Sequence, residues 1–200
     1  MEAKELFIKE EIYYFTDKTK WEANTAKVVE IVKNYIERNN VKNIIVASSY
    51  GYTAVELVKA LDRRDLNIVV VKMSKAVDDI YEVVFEPERK NFLDSRGIPL
   101  LAATHALTGA VDYAITERFK GLPPTTLIAE TLYLFSQGMK VCVEVTMMAV
   151  DAGLVVEGEE TIAIAGTGQG ADTAIVVKAA SSTNMFNLDI HKILAMPLQK

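Results

Sequence analysis

The sequence predicts an α/β fold in which helices cover both faces of a mostly parallel, mixed sheet, giving a three-layer sandwich. Three short runs, residues 43–47, 67–72 and 98–103, are continuously apolar except at their ends and at Pro99, as strands buried on both faces are. Helical patterns alternate with these runs, which is typical of parallel strands joined by helical crossovers. Only about seven residues join two later apolar runs, 161–166 and 173–180, so we expect this pair to be antiparallel.

Three helices are predicted in the first half of the chain. Asn24 and Thr25 are good N-cap residues for the first of them, whose apolar residues follow at helical spacing. A second helix is expected over residues 52–63, because its apolar residues form one stripe. The polar segment 73–88 is expected to be irregular and exposed, and a short helix near 87–96 should follow it.

Four further helices are predicted in the second half of the chain. One follows Gly109, and the next begins at the Pro-Thr sequence of residues 124–138. Residues 139–153 read as a long, mostly buried helix that ends at Gly153. The segment 188–197 is expected to form a last short helix.

Composition and charge indicate the number of domains, the partners and the cellular location to expect. The chain has 200 residues, 50% of them hydrophobic, and no linker-like stretch, so we expect one domain over residues 1–200. The net charge of −5 argues against a nucleic-acid partner, and no run approaches the roughly 20 apolar residues of a membrane span. The single cysteine, Cys142, and the charged N-terminus favour a cytoplasmic location. We expect Cys142 to be a core residue.

Small polar residues follow three of the predicted strands, at the edge where open α/β sheets bind ligands. The first group is the turn SSYGYT, residues 48–53, which opens a helix. Unpaired N–H groups at a helix start favour an anion, the hydroxyls of Ser48, Ser49 and Thr53 add donors, and Gly51 permits close backbone approach. These features suit a phosphate. A well-capped turn without any ligand fits the same residues equally well.

The other two groups are THALTG at 104–109 and GTGQGADTA at 166–174. His105 could bind a ligand or transfer a proton, although a histidine bonded to neighbouring backbone is the favoured reading. The glycine-rich segment has the spelling of a dinucleotide fingerprint, but a strand follows it where that fingerprint needs a helix. It therefore predicts a loop that lets a ligand approach, with Asp172 and Thr173 as polar contacts, or else a simple hairpin. No metal site is expected, since no ligand spacing suits one.

The segment NIIVASSYGYTAVELVKAL resembles the strand, turn and helix of the pyruvate kinase C-terminal α/β domain. In several pyruvate kinases that turn binds a phosphate of an allosteric sugar bisphosphate. The resemblance implies a phosphate-binding role for five residues of the turn: Ser48, Ser49, Gly51, Tyr52 and Thr53. The sequence departs from the pattern at Tyr50, where the kinase domain has serine, so the arrangement of hydroxyl groups differs.

A likeness to stand-alone proteins of this type, found in archaea and some bacteria, spans nearly the whole chain. It is carried in the same order by four segments: residues 24–25, 104–109, 137–153 and 166–174. These proteins are associated with bound flavin mononucleotide (FMN), so the resemblance implies FMN as the cofactor. The residues that would line its ring or ribityl chain are Thr104, His105, Gly109, Gly166, Thr167, Gly168, Gly170, Asp172 and Thr173.

The expected function is therefore binding of a phosphorylated small molecule, with FMN as the leading candidate. A flavin-dependent oxidoreductase, a sensor or regulatory module for a sugar phosphate, and a scaffold with a vestigial pocket all stay open. No pyruvate kinase activity is expected, because that reaction needs a (β/α)₈ barrel of about 250 residues. An exposed apolar element within residues 104–138 would allow a homo-oligomer.

Overall fold

The computed structural model describes residues 9–63 and 65–199 of the chain. Strands and helices alternate along it. The first half contains β1 (Tyr13–Phe15), α1 (Trp21–Arg38), β2 (Asn43–Ala47), α2 (Tyr52–Leu61), β3 (Asn67–Lys72), α3 (Lys75–Tyr81), α4 (Pro87–Ser95) and β4 (Leu100–Ala102). The second half contains α5 (Val111–Phe119), α6 (Pro124–Tyr133), α7 (Gln137–Asp151), β5 (Glu160–Ala165), β6 (Thr173–Lys178), a 3₁₀ turn (Met185–Asn187) and β7 (Asp189–Pro197).

The seven strands of the described residues form one sheet in the order β1-β7-β6-β5-β2-β3-β4. β2 pairs in parallel with β3 on one side and with β5 on the other. β4 extends this parallel part beyond β3, whereas β6 is antiparallel to both β5 and β7. The predicted mixed, mostly parallel sheet is confirmed, including the antiparallel pair formed by β5 and β6.

Helices cover both faces of this sheet. Ile44 and Val46 of β2 pack on one face with α1, α2 and α4, and Ile45 packs on the opposite face with α7. This alternation follows from the strand geometry, because successive side chains point to opposite sides. All three side chains are fully buried, which explains why the strand is apolar from Ile44 onward. The predicted three-layer sandwich is confirmed.

Cys142 of α7 is a core residue, as predicted. Its thiol is buried and donates a hydrogen bond to the carbonyl oxygen of Ala163, with Sγ 3.4 Å from that oxygen. Burial raises the pKa of the Cys142 thiol and so disfavours the nucleophilic thiolate.

The prediction of a helix at residues 188–197 is wrong, because this segment is the strand β7. It pairs with β6 through two register shifts, and as a result Leu194 and His191 each lack a partner residue on β6. These bulges interrupt the alternation of inward and outward side chains, leaving apolar residues at a spacing that imitates a helix. β7 also pairs in parallel with β1, a three-residue strand that the sequence did not predict.

The predicted start of the first helix is also wrong. α1 begins at Trp21, so Asn24 and Thr25 lie inside it instead of capping it. Both side chains are buried and donate hydrogen bonds to backbone carbonyl groups. Polar residues that bond to the backbone are favoured both at caps and at buried positions with a local acceptor, and sequence alone does not separate the two cases.

The segment 73–88 contains α3, where irregular and exposed chain was predicted. Asp78 of α3 is buried and forms an ion pair with Lys72, which lies at the end of β3. Its second carboxylate oxygen, Oδ1, has no hydrogen-bond partner among the described residues. An ion pair, in place of an apolar stripe, thus fixes this helix to the domain, which explains why the hydrophobic pattern did not reveal it.

The helices α5 and α6 carry the exposed apolar residues that the sequence indicated for 104–138. α5 buries none of its side chains, and α6 buries only Ala129. Large exposed apolar side chains on and around the two helices are Val111, Tyr113, Ile115, Phe119, Leu122, Leu127, Leu134 and Phe135. The homo-oligomer that this surface would allow stays a prediction.

No helix within residues 9–63 and 65–199 has both the length and the apolar composition needed to cross a membrane. The cytoplasmic location and the absence of a nucleic-acid partner stay predictions.

Candidate functional site

A cavity of about 520 Å³ lies at the carboxyl ends of the parallel strands. Ala47 ends β2, Lys72 ends β3 and Gly166 directly follows β5, and all three line the cavity. Side chains of α7 form its opposite wall. The cavity has the size of typical small-molecule sites, which measure about 300–1,000 Å³, and it lies where open α/β sheets bind ligands.

The structure brings eight of the predicted site residues to this cavity. These are Ser48, Ser49, Tyr52, Thr53, His105, Gly166, Gly168 and Gly170. Six others lie outside its lining: Gly51, Thr104, Gly109, Thr167, Asp172 and Thr173. All three predicted polar strand ends therefore meet at or near one cavity, and the roles of their residues in ligand binding stay predictions.

The turn between β2 and α2 presents free backbone donors. The N–H groups of residues 49–53 donate no hydrogen bond to any described residue. Ser48 holds the turn in place, because its N–H donates to the carbonyl oxygen of Val71 at 2.9 Å and its Oγ accepts the Ala54 N–H at 3.3 Å. Free N–H groups at the start of a helix, together with the helix dipole, create a site that favours an anion.

Arg89 of α4 adds a positive charge to the same side of the cavity. Its Nη1 donates to the carbonyl oxygen of Tyr50 at 2.9 Å, and its guanidinium group lies 5.7 Å from the centre of the Tyr52 ring. Glu86, which is more exposed, forms an ion pair with it, with Oε2 3.1 Å from Nε of Arg89. Arg89 is separated from the turn by almost 40 residues of chain, so the turn sequence gave no sign of it.

Gly51 supports the turn from the side that faces α4. It has φ +84°, and an added Cβ would lie 2.8 Å from the Phe85 ring and 3.1 Å from Cβ of Arg89. Its function is therefore close packing of the turn against α4, which keeps Arg89 beside the free N–H groups. The sequence had predicted that this glycine lets a ligand approach the backbone.

We expect Gly51→Ala to lower the free energy of unfolding by about 2–3 kcal/mol, because left-handed backbone strain adds to the clash with Phe85. Gly97→Ala is the matched control, since Gly97 has φ +68° but nothing within 4 Å of an added Cβ. Strain alone should cost the control about 1 kcal/mol. Urea unfolding measures both values, and equal losses would show that α4 moves away from the turn without cost.

The glycine-rich loop 166–172 is held by α1 on one side of the cavity. Thr25 Oγ1 accepts the N–H of Ala171 at 2.8 Å and donates to the carbonyl oxygen of Trp21 at 2.7 Å. An added Cβ at Gly170 would lie 2.9 Å from that same carbonyl oxygen, so only glycine fits there. The Trp21 ring meets Tyr52 edge to face, with 5.0 Å between ring centres, and thus connects the loop to the turn.

Asp172 and Thr173 stabilise the loop from within the protein. Both are buried, and Asp172 accepts the N–H of Thr167 at 3.0 Å and the hydroxyl of Thr173 at 2.7 Å. The Thr173 Oγ1 also lies 3.3 Å from Oγ of Ser136, the N-cap residue of α7. These hydrogen bonds explain why two residues predicted to contact a ligand lie outside the cavity lining.

His105 lies in the cavity wall and makes no hydrogen bond to any described residue. The favoured reading of the sequence, a histidine bonded to nearby backbone, is therefore wrong for this structure. Gly109 lies behind it with φ +88°, and an added Cβ there would be 3.4 Å from Nδ1 of the ring. Because that distance is an ordinary van der Waals contact, the positive φ accounts for glycine at this position. The imidazole is free to bond to a molecule in the cavity.

The α7 wall carries an ion pair that the sequence analysis missed. Lys140 and Glu144 both line the cavity, yet their side chains are only 4% and 3% exposed. Nζ of Lys140 lies 2.6 Å from Oε2 of Glu144. The signal that could have revealed it is a lysine and a glutamate four residues apart in a helix whose other residues are largely apolar.

These features define an α/β sandwich with a partly charged cavity at the carboxyl edge of its parallel strands. The family model of the pyruvate kinase alpha/beta domain matches residues 26–177, well over half of the chain. The chain belongs to this family. The match confirms the resemblance given by the turn at 48–53, and it leaves β1 and β7 outside the matched range.

Proposed function

We propose that this protein binds a phosphorylated small molecule in the cavity, with FMN as the leading candidate. One observation carries the proposal: four residues of the turn with free N–H groups, Ser49, Tyr50, Tyr52 and Thr53, line the same cavity as Arg89. A phosphate monoester needs several donors and compensation of its charge, and this side of the cavity offers both. Glu86 forms an ion pair with Arg89, and its side chain is about half exposed.

The remainder of the cavity suits an aromatic ring system. Its floor contains the apolar side chains Ala47, Val71, Val145 and Met148, and Trp21 adds an aromatic wall. Gly166, Gly168 and Gly170 also line the cavity, and because they have no side chains a ring could lie directly against their backbone. The residues present thus fit FMN: a donor-rich turn for the phosphate, and an apolar and aromatic chamber for the ring. When bound, FMN would supply a redox-active ring.

The direct test is to purify the protein, record its visible absorption, release any ligand by heat and identify it by mass. We expect flavin absorption and the mass of FMN, and protein that lacks flavin should take up added FMN. Riboflavin is the matched control, because it has the same ring without the phosphate. We expect riboflavin to bind about 100-fold more weakly, as removal of several charge-assisted hydrogen bonds predicts.

Two results would contradict parts of this proposal. Colourless protein that takes up no FMN would refute the flavin and leave a smaller phosphorylated metabolite as the ligand. Equal affinities for FMN and riboflavin would refute the role of the turn in phosphate binding, even if the protein binds flavin.

A further inference from the structure

The Lys140–Glu144 pair is the most deeply buried charge in the cavity wall. Glu144 uses both of its carboxylate oxygens within the protein. Oε1 accepts the N–H groups of Leu107 at 2.9 Å and Thr108 at 3.1 Å, and Oε2 accepts from Lys140. Through these three contacts, Glu144 fixes the loop after β4 and pairs with the buried lysine.

Lys140 keeps one donor unused. Its ammonium group has three N–H bonds, of which one is donated to Glu144 and one to the Thr108 hydroxyl at 2.7 Å. The centre of the Tyr133 ring lies 6.0 Å from Nζ, at the outer limit of a cation–π contact, so the ring does not serve as the acceptor for the third N–H group. A buried ammonium group with an unmet donor is costly unless an acceptor reaches it, and Lys140 faces the cavity.

The lysine and the turn lie on opposite faces of the sheet. α2, which begins at the turn, packs on the face that contains Ile44, whereas α7 packs on the face that contains Ile45. The cavity passes over the carboxyl edge of the sheet and reaches both. A molecule that fills it would therefore meet free N–H groups at one end and the Lys140 ammonium group at the other.

We propose that Lys140 forms a second binding subsite, which takes an electron-rich acceptor at the end of the ligand remote from the phosphate. The inference rests on the proposed function and narrows its ligand class to phosphate monoesters whose other end carries carbonyl, carboxylate or ring-nitrogen acceptors. FMN belongs to this class, because its ring bears two carbonyl oxygens. Sugar phosphates with only hydroxyl groups at that end would form weaker hydrogen bonds with the Lys140 ammonium group.

The test compares Glu144→Gln with the double variant Lys140→Met/Glu144→Gln, using FMN as the probe. Removing Lys140 alone would leave the Glu144 carboxylate buried without its partner, whereas the double variant has no charge at either position. In Glu144→Gln, the Thr108 hydroxyl and the amide oxygen at position 144 remain as acceptors for the Lys140 ammonium group. The two proteins differ only at residue 140, where methionine has nearly the length of lysine. Thermal unfolding followed by circular dichroism checks that both are folded, and titration measures the dissociation constant for FMN.

We expect FMN to bind about tenfold or more weakly to the double variant than to Glu144→Gln, the usual effect of losing one charge-assisted hydrogen bond. The midpoint potential of the bound flavin should also become more negative. Reduction adds electron density to the acceptor atoms of the ring, so a nearby cation stabilises the reduced form more strongly. A role in shaping the cavity would alter affinity but would leave this potential unchanged.

Equal FMN affinities of the two variants, or weaker binding with an unchanged midpoint potential, would overturn the Lys140 subsite and leave the proposed function intact. Failure of the wild-type protein to bind FMN would refute the flavin proposal itself and the inference with it.

Discussion

Replacement of Gly138 by alanine is expected to lower the free energy of unfolding by about 2 kcal/mol, although alanine normally favours a helix over glycine. Gly138 lies in the first turn of α7, and an added Cβ would be 2.5 Å from Cβ of Thr173 and in closer contact with its Oγ1. Thr173 belongs to the buried strand β6 and donates to Asp172, so it has little freedom to move. The clash therefore outweighs the helical gain of about 1 kcal/mol.

Gly121→Ala is the matched control for this substitution. Gly121 has an ordinary backbone φ and nothing within 4 Å of an added Cβ. We expect its stability to change by less than about 0.5 kcal/mol. Urea unfolding of both variants gives the comparison. A Gly138→Ala protein as stable as Gly121→Ala would mean that Thr173 and the loop before it shift freely, which contradicts the hydrogen-bonded arrangement described for Asp172.

Ser49→Asp is expected to weaken FMN binding by about 100-fold, because a carboxylate at this position would lie beside the ligand phosphate and repel it. Ser49 lines the cavity within the turn whose N–H groups lack acceptors. Ser49→Ala is the control, since it removes the hydroxyl without adding charge, and we expect a loss of about tenfold or less. Both affinities are measured by titration with FMN.

The same titration with riboflavin shows whether the loss of affinity arises at the phosphate or from a distortion of the cavity. Riboflavin has no phosphate, so its affinity should respond similarly to Ser49→Asp and Ser49→Ala. An equal loss for FMN and riboflavin would show that aspartate distorts the cavity as a whole. Unchanged FMN affinity would move the phosphate away from the turn and would remove the main support for the proposed function.

The central part of the fold could be predicted from the sequence because strands that are buried on both faces appear as short, almost continuous apolar runs. β2 and β3 are covered on both faces, so their sequences NIIVA and NIVVVK are almost wholly apolar. The antiparallel pairing of β5 and β6 followed from the short connection between them. Where pairing was irregular the pattern failed, as at Leu194 and His191 of β7.

The candidate site was predictable only where its residues follow a strand within a few positions. Ser48, His105 and Gly166 were identified in this way, because strand ends of a parallel sheet meet at one edge. Arg89 and Lys140 were missed, since each comes from a helix and reaches the cavity through packing between distant segments. A charged residue on a predicted helix is normally expected to be exposed to solvent. The position of Arg89 and Lys140 at the cavity therefore had to be observed before a role in the site could be inferred for them.

The pairing of β1 with β7 sets an order for assembly of the domain. Tyr13 and Ala195 are neighbours across this edge of the sheet, although nearly the whole chain lies between them. On a ribosome, β1 must wait beside an incomplete sheet until the last strand has been synthesised, whereas β2 and β3 can associate early. The turn that borders the cavity therefore belongs to the part of the domain that can form first, and the pairing of β1 with β7 forms later.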